Sequence, residues 1–242
     1  MTIAVPWVRN DGTYAAAAVD ATPYPKQFPN LALWLDAGQG VTTDTGGVST
    51  WADQSGLGND AIQTTDSARP DLNATDSNLN DQPSITFGAG SGQFLAHAMS
   101  ASSTDWTWFA VVYAGSTSPL AALYDAGGGA NFRWRATGGA MYSAVAGASL
   151  NASLGTSAGH VICARHGSGV GLMRVDATES TGTLAAFSLP GGGCIGGRYT
   201  DSGDEPWVDE IAEIIAYKVA LSDTHVDAIC DYLGSKYSIT VV

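Results

Sequence analysis

From Leu31 onward, short apolar runs alternate with clusters of Gly, Asp, Ser and Thr, and this punctuation restricts the folds open to the chain. Gly and Asp favour turns, whereas most of the runs are too short for a helix but long enough for a strand. The chain of 242 residues holds 30 glycines, and 19 of its 23 acidic residues are Asp. Glu, the better helix former, is rare. The pattern therefore predicts an all-β fold, an antiparallel sandwich.

Eight runs have the length and composition of strands. The run over 106–113 is apolar at both its odd-numbered and its even-numbered positions, which is typical of a central strand covered on both faces. The run over 131–136 alternates apolar and basic residues, so only one of its faces is expected to be buried. The predicted strands lie at 31–35, 84–87, 93–95, 106–113, 131–136, 161–166, 171–175 and 208–217.

One helix is predicted near the C-terminus. Ser222 suits the N-cap, and Gly234 is expected to begin the termination of the helix. Four residues between them fall at i, i+3, i+4 and i+7 and form one apolar stripe. These residues are Val226, Ile229, Cys230 and Leu233.

Residues 1–29 differ from the rest, because they hold four prolines and no strand-length alternation. We therefore interpret 1–29 as an extended N-terminal arm and 30–242 as the sandwich. Two interpretations of the arm stay open: a disordered leader, or a segment that lies on a neighbouring subunit and anchors it through aromatic side chains. The candidate anchors are Trp7, Tyr14, Tyr24 and Phe28.

The charge balance excludes some partners. Ten Lys and Arg residues against 23 Asp and Glu residues give a net charge of −13, which opposes binding to nucleic acid or an anionic membrane. No apolar run is long enough to span a bilayer, and the N-terminus lacks the pattern of a secretory signal, so we expect a soluble chain that is not exported by such a signal. The three cysteines, an odd number without metal-ligand spacing, indicate neither a disulfide framework nor a zinc site.

Several local motifs occur in a telling order along the chain. They include LWLDA at 33–37, WADQSGLGNDA at 51–61, QPSITF at 82–87, IAEIIAY at 211–217 and YLGSKY at 232–237. Together they resemble the concanavalin A-like lectin/glucanase superfamily, in its laminin-G-like branch, over roughly 31–242. The resemblance implies a jelly-roll sandwich of two antiparallel sheets.

The Gly- and Asp-rich stretch 53–60 allows two interpretations. Asp and Asn side chains bond nearby backbone amides, so the loop can hold itself together without regular pairing. Alternatively, Asp36, Asp53 and Asp60 bring their oxygens together around Ca²⁺, a cation that requires six to eight oxygen ligands. Members of the superfamily often carry calcium, so the resemblance supports the calcium interpretation.

The superfamily also includes glycanases, so a catalytic pair has to be considered. Retaining hydrolysis needs two carboxylates about 5 to 5.5 Å apart. Asp209 and Glu213 have the parity to share one face of the strand over 208–217, but Ile211 lies between them, where the glucanase pattern has an acid. An aliphatic residue cannot assist proton transfer, and we therefore expect no enzymatic activity.

Glycan binding is a separate hypothesis, because sugar sites combine an aromatic platform with polar groups on loops. Trp207 beside Asp204, and Tyr199 beside Asp201, are the candidate rim of such a site. The alternative is that Trp207 fastens its loop onto the sandwich.

The fold does not by itself determine the activity. Laminin-G-like domains similar to this one occur in virions of tailed bacteriophages, which assemble in a cytoplasm. The first functional hypothesis is therefore a non-enzymatic virion structural protein, a capsid decoration protein that binds the head lattice, self-associates and is located in the virion. The alternative is a lectin-like carbohydrate-binding module, with or without Ca²⁺, that recognises host-surface or environmental glycans.

Overall fold

The computed structural model describes residues 24–88, 92–99, 104–115, 121–125, 133–137, 140–145, 148–184, 192–197 and 205–241. The strands in these ranges are, in chain order, β1 Leu31–Asp36, β2 Val41–Asp44, β3 Gly47–Trp51, β4 Ala61–Ile62, β5 Asp71–Asp76, β6 Gln82–Phe87, β7 Leu95–His97, β8 Trp106–Ala114, β9 Ala121–Asp125, β10 Arg133–Thr137, β11 Ala140–Val145, β12 Ala148–Ser153, β13 Ala158–Gly167, β14 Val170–Val175, β15 Thr178–Thr183, β16 Gly193–Ile195 and β17 Asp209–Tyr217. The α-helix of this part of the chain, α1, spans Asp223–Tyr237.

The strands form two sheets in which all the paired strands run antiparallel. The eight-stranded sheet has the order β15-β14-β13-β8-β17-β6-β5, and β1 pairs with the second half of β17. The nine-stranded sheet has the order β12-β11-β10-β9-β16-β7-β4-β3-β2. This architecture confirms the predicted two-sheet antiparallel sandwich, which is consistent with a jelly roll carrying one short C-terminal helix.

Two apolar clusters hold the layers together. The inter-sheet core takes side chains from both sheets, including Trp51 and Trp108. A second cluster, the helix-side core, packs the outer face of the eight-stranded sheet against α1 and includes Phe109 and Leu233. Strand β8 supplies alternate residues to the two clusters and is therefore covered on both faces, as its sequence predicts.

Helix α1 begins as predicted but ends later than predicted. Ser222 is its N-cap, and the apolar stripe is buried in the helix-side core. The helix does not terminate at Gly234; it continues to Tyr237 and ends at Ser238, which has a φ of 55°. Gly234 instead permits the following chain to approach closely, since the N–H of Ile239 donates to the Gly234 carbonyl at 2.9 Å.

We expect Gly234→Ala to destabilise the protein by about 1–3 kcal/mol, because an added Cβ would lie 2.7 Å from the backbone oxygen of Ile239. Elsewhere in a helix interior, the same change stabilises by roughly 0.5–1 kcal/mol. Urea denaturation would measure the difference, with Ser235→Ala as the control at the exposed neighbouring position. A Gly234→Ala variant as stable as the natural chain would contradict this account of the glycine.

The segment from Tyr24 to Asn30 lies on the helix side of the sandwich. The Tyr24 ring stacks on Tyr232 of α1, with centroids 5.2 Å apart and an interplanar angle of 22°. Phe28 packs against the helix-side core. Both aromatic residues therefore contact their own chain, and binding of a partner by them stays a prediction. Trp7 and Tyr14 lie outside the described residues. Over the described ranges, no helix has the length and apolarity needed to cross a membrane.

Candidate functional site

A β-bulge in β17 separates the two carboxylates that sequence spacing places on one face. The register against β8 shifts between Ile211 and Glu213, where β17 exchanges β6 for β1 as its neighbour. Ile211 lies in the inter-sheet core, whereas Ala212 lies in the helix-side core and Glu213 bonds to α1. The alternation of faces is thus broken between Asp209 and Glu213. The prediction that Asp209 and Glu213 share one face of the strand is wrong, because a bulge adds a residue that sequence periodicity does not reveal.

Glu213 is fully buried beneath α1 and is surrounded by hydrogen-bond donors. Its carboxylate accepts hydrogen bonds from Trp34 Nε1 at 2.8 Å, Lys236 Nζ at 2.8 Å and the Tyr237 hydroxyl at 2.9 Å. Donors of this kind favour the ionised carboxylate, which can only accept. The arrangement follows from pairing, since β1 and β17 place Asp36 opposite Glu213 and the last turn of α1 lies over both.

Asp36 completes a buried ion triad, which consists of Asp36, Glu213 and Lys236. Lys236 Nζ donates to Asp36 Oδ2 at 2.8 Å, and the same carboxylate accepts hydrogen bonds from Gly38 N and Gln39 Nε2, each at 2.9 Å. Asp36 is 3% exposed, and Glu213 is 0% exposed. Two acids therefore share one ammonium group in a largely dry site.

The electrostatics of the triad follow from burial and proximity. Burial raises the pKa of Glu213, and the Lys236 ammonium opposes that shift. Burial by itself would lower the pKa of Lys236, but the two carboxylates outweigh it and raise that pKa. Burial and the Glu213 charge raise the pKa of Tyr237, which keeps its hydroxyl protonated as a donor. The triad thus places two carboxyl groups against one ammonium group, and the donors around Glu213 favour its ionised form.

A groove made of two adjoining pockets opens beside this triad. The first pocket has a volume of about 400 Å³ and combines aromatic, amide and charged side chains. The second pocket, of about 270 Å³, shares Gly38 and Gln39 with the first and is mainly apolar. The first pocket is lined by Tyr24, Trp34, Asp36, Gln39, Gln82, Tyr232 and Lys236, with Gly38 at its border. The second is lined by Ala37, Gly40, Val41, Leu72, Ala74 and Pro83 besides the shared pair.

The aromatic side of the first pocket combines the N-terminal segment with α1. Tyr24 and Tyr232 form the stacked pair described above, and both rings are half-buried. The Nζ of Lys236 lies 6.0 Å from the Tyr232 ring centroid and 5.1 Å from that of Tyr237. The ammonium group thus lies between carboxylates and ring faces, and an aromatic platform stands directly beside polar groups.

The loop over 53–60 is held by its own side chains. Asp53 accepts from the backbone N–H groups of Trp34 at 3.0 Å, Ser55 at 2.9 Å and Asn59 at 3.0 Å, and Asp60 accepts from the N–H of Asp53 at 2.8 Å. This is the self-bonded loop that the residue types predict.

The calcium hypothesis for Asp36, Asp53 and Asp60 does not fit this geometry. Asp36 is paired with Lys236, whereas Asp53 and Asp60 bond backbone amides. Across the described ranges, no group of three or more His, Cys, Asp or Glu side chains is arranged to hold a metal ion. The physical reason is that the acids have other partners: Asp36 is paired with the Lys236 ammonium group, and Asp53 already accepts from three backbone N–H groups.

The predicted glycan rim falls largely outside the part of the chain that the structure describes, since Tyr199, Asp201 and Asp204 all lie there. Trp207 is described and is only 2% exposed, within the inter-sheet core. Its backbone N–H donates to the Gly196 carbonyl at 3.0 Å. Trp207 is therefore a packing residue that fastens its loop, the second of its two interpretations, and it does not form part of an exposed rim.

Sequence reasoning missed the groove but contained two signals for it. Glu213 interrupts the otherwise apolar run 211–217, and Lys236 is one of only three lysines and follows the apolar stripe of α1. A charged residue among buried positions needs a partner of opposite charge. The sequence could therefore have suggested that these two residues pair.

Comparisons with known proteins show the fold of the chain but do not assign the chain to a family. No protein-family model matches the chain, and no curated protein matches it. Among solved structures, Trypanosoma rangeli sialidase in complex with sialic acid is similar, with a TM-score of 0.59 and 14% identity. The match covers 98% of this chain and 36% of the sialidase.

Two binding domains of toxins are similar as well. The binding domain of Paraclostridial Mosquitocidal Protein 1 has a TM-score of 0.57 and 11% identity, over 86% of this chain and 52% of that one. The ligand binding domain of botulinum neurotoxin serotype D, in complex with N-acetylneuraminic acid, has a TM-score of 0.59 and 10% identity, over 84% and 51%. The chain thus matches about a third to a half of these structures. At such identities the likeness shows the fold alone, a β-sandwich.

Proposed function

We propose that this chain is a non-catalytic binding domain whose ligand is a carbohydrate held in the groove. The observation that carries the proposal is the first pocket, where the rings of Tyr24 and Tyr232 stand beside Asp36, Gln39 and Gln82. Binding pockets for small polar ligands combine apolar or aromatic walls with a few placed polar groups. Sugar rings match such a wall, because they have one apolar face and a rim of hydroxyls.

The similar structures support the ligand class. Both the sialidase and the serotype D binding domain are described in complex with a sugar acid. Proteins that contain a sandwich of this shape are therefore described with bound sugars, and the groove supplies a concrete location in this chain.

The carboxylates favour binding over cleavage. Glu213 is fully buried and bonded to three donors, so it cannot approach a glycosidic bond. Asp36 is the single acidic side chain among the described residues that line the first pocket. Most glycoside hydrolases need two carboxylates flanking the scissile bond. The groove therefore suits recognition without bond breaking.

Replacing Tyr24 by Ala should weaken glycan binding about tenfold, because covering the exposed half of an aromatic side chain with a ligand contributes about 1–1.5 kcal/mol. A glycan array identifies the ligands, and calorimetry compares the natural chain with Tyr24→Ala. Tyr24→Phe is the matched control, since it keeps the ring, and it should bind normally. If no glycan binds, or if Tyr24→Ala binds as well as the natural chain, the proposal fails.

A second proposal is the virion structural role, with a capsid decoration protein as its specific form. It is supported by the net charge of −13 with only three lysines, and by the aromatic residues Trp7 and Tyr14 in the segment before the sandwich. Labelling of virions with antibodies against the chain, followed by electron microscopy, tests it directly. Unlabelled virions would rule this role out. A decoration protein can also bind sugars, so the two proposals are compatible.

A further inference from the structure

We infer that the groove selects neutral carbohydrates and rejects acidic ones, because the lysine that lines it is already neutralised inside the protein. The inference rests on the proposed function, since it specifies which sugars the same site takes. It is carried by the buried ion triad and by the polar atoms that the groove presents to a ligand.

The first step is the charge of the triad. Lys236 Nζ lies 2.8 Å from Asp36 Oδ2 and 2.8 Å from Glu213 Oε2, and its side chain is 20% exposed. One ammonium group thus compensates two carboxylates at the floor of the first pocket. A ligand carboxylate or sulfate placed there would approach a net negative cluster in a partly dry environment, where like charges repel strongly.

The second step is the hydrogen-bonding character of the pocket. An ionised carboxylate has about four acceptor positions. Asp36 uses three of them, for Gly38 N, Gln39 Nε2 and Lys236 Nζ. Because Asp36 is only 3% exposed, the acceptors that a ligand meets are chiefly the side-chain oxygens of the lining amides Gln39 and Gln82, which accept hydrogen bonds from ligand donors. Sugar hydroxyls supply donors, whereas an ionised acid group can only accept.

The third step concerns Lys26, the other lysine near the groove. Its Nζ lies 5.8 Å from the Trp34 ring centroid, but the residue is exposed and is not part of the pocket lining. Because its ammonium group lies in water, the higher dielectric constant there makes its attraction of an anion weaker than the repulsion exerted by the buried acids at an equal distance. The chain as a whole carries −13, which adds to the repulsion of anionic ligands.

The test uses the full chain and pairs of glycans that differ by one acidic group. N-acetyllactosamine-terminated glycans are compared with their sialylated and sulfated derivatives on an array, and each bound pair is then measured by calorimetry. We expect the acidic derivative to bind at least about tenfold more weakly, the equivalent of about 1.4 kcal/mol. Acidic derivatives that bind as well as their neutral parents would overturn the inference and leave the proposed function intact. Binding of no glycan at all would overturn both.

A charge variant tests the cause. Asp36→Asn removes one acid from the pocket with little change of shape, so the preference for the neutral member of each pair should fall at least about threefold. Asp231→Asn is the control, because it makes the same charge change at an exposed position of α1 outside the groove. Circular dichroism checks that both variants fold. If Asp36→Asn unfolds, the salt dependence of the natural chain decides: the preference should shrink as salt rises, and a preference unaffected by salt would overturn the electrostatic cause.

Discussion

Lys236→Met should lower the free energy of unfolding at neutral pH by about 3–5 kcal/mol, the usual consequence of removing one partner of a buried ion pair. The substitution leaves Asp36 and Glu213 side by side, 3% and 0% exposed, with no cation between them. Desolvation and mutual repulsion then both act against the folded state. Urea denaturation at pH 7 measures the loss. Lys26→Met is the control at an exposed lysine and should have little effect.

The pH dependence of Lys236→Met has a defined sign. Without the ammonium group, nothing opposes the rise that burial causes in the pKa of Glu213, so the folded state holds that proton more tightly than the unfolded chain does. The stability of the variant should therefore recover as the pH falls toward 4–5 and diminish again as the pH rises. Glu213→Gln combined with Lys236→Met should restore part of the loss at pH 7, because it removes one buried charge. If Lys236→Met alone were as stable as the natural chain at pH 7, the ion pairs of Lys236 would contribute nothing to the free energy of unfolding.

Acidification from pH 6.5 to 4 should destabilise the natural chain by about 3 kcal/mol through His97 alone. His97 is 5% exposed and stacks on Tyr124, with centroids 5.6 Å apart. Neither ring nitrogen has a hydrogen-bond partner among the described residues. Burial lowers the pKa of His97 from 6.5 to about 4. The unfolded chain therefore binds the proton first, and stability present above pH 6.5 is lost as the pH falls.

The measurement compares unfolding of the natural chain and His97→Phe across this pH range. Phe keeps an aromatic ring against Tyr124 without a titrating group, so the loss of stability on acidification should be smaller by about 3 kcal/mol in the variant. His225→Gln controls for removal of a half-buried histidine on α1. Equal pH slopes for His97→Phe and the natural chain would show that His97 does not titrate between the two states.

Local patterns predicted much of the fold because short-range periodicity reports which faces are buried. Strand β8 and the stripe of α1 are read directly from residue spacing, and both are confirmed. The two-residue strand β4 was not predicted, because its length provides too few residues for a period to appear. Gly234 was misjudged because its function depends on Ile239, which returns toward the helix only in three dimensions.

The groove shows why the site could not be predicted in the same way. Asp36 and Lys236 are 200 positions apart, and Tyr24 joins them from the segment before β1. The bulge after Ile211 turns Glu213 toward the helix, and no spacing rule indicates a bulge. The calcium ligands and the glycan rim are predictions from residue types alone, and a residue type does not reveal which partners its side chain has in the folded chain.

The residues alone therefore determined the class of fold and the apolar stripe of α1, since each depends on neighbours within a few positions. Only the tertiary structure decided which charges meet, because an ion triad and a groove form from segments that chain folding brings together over long separations. The spacing of acids along β17 suggested a catalytic pair, whereas packing made one of those acids the buried partner of a lysine.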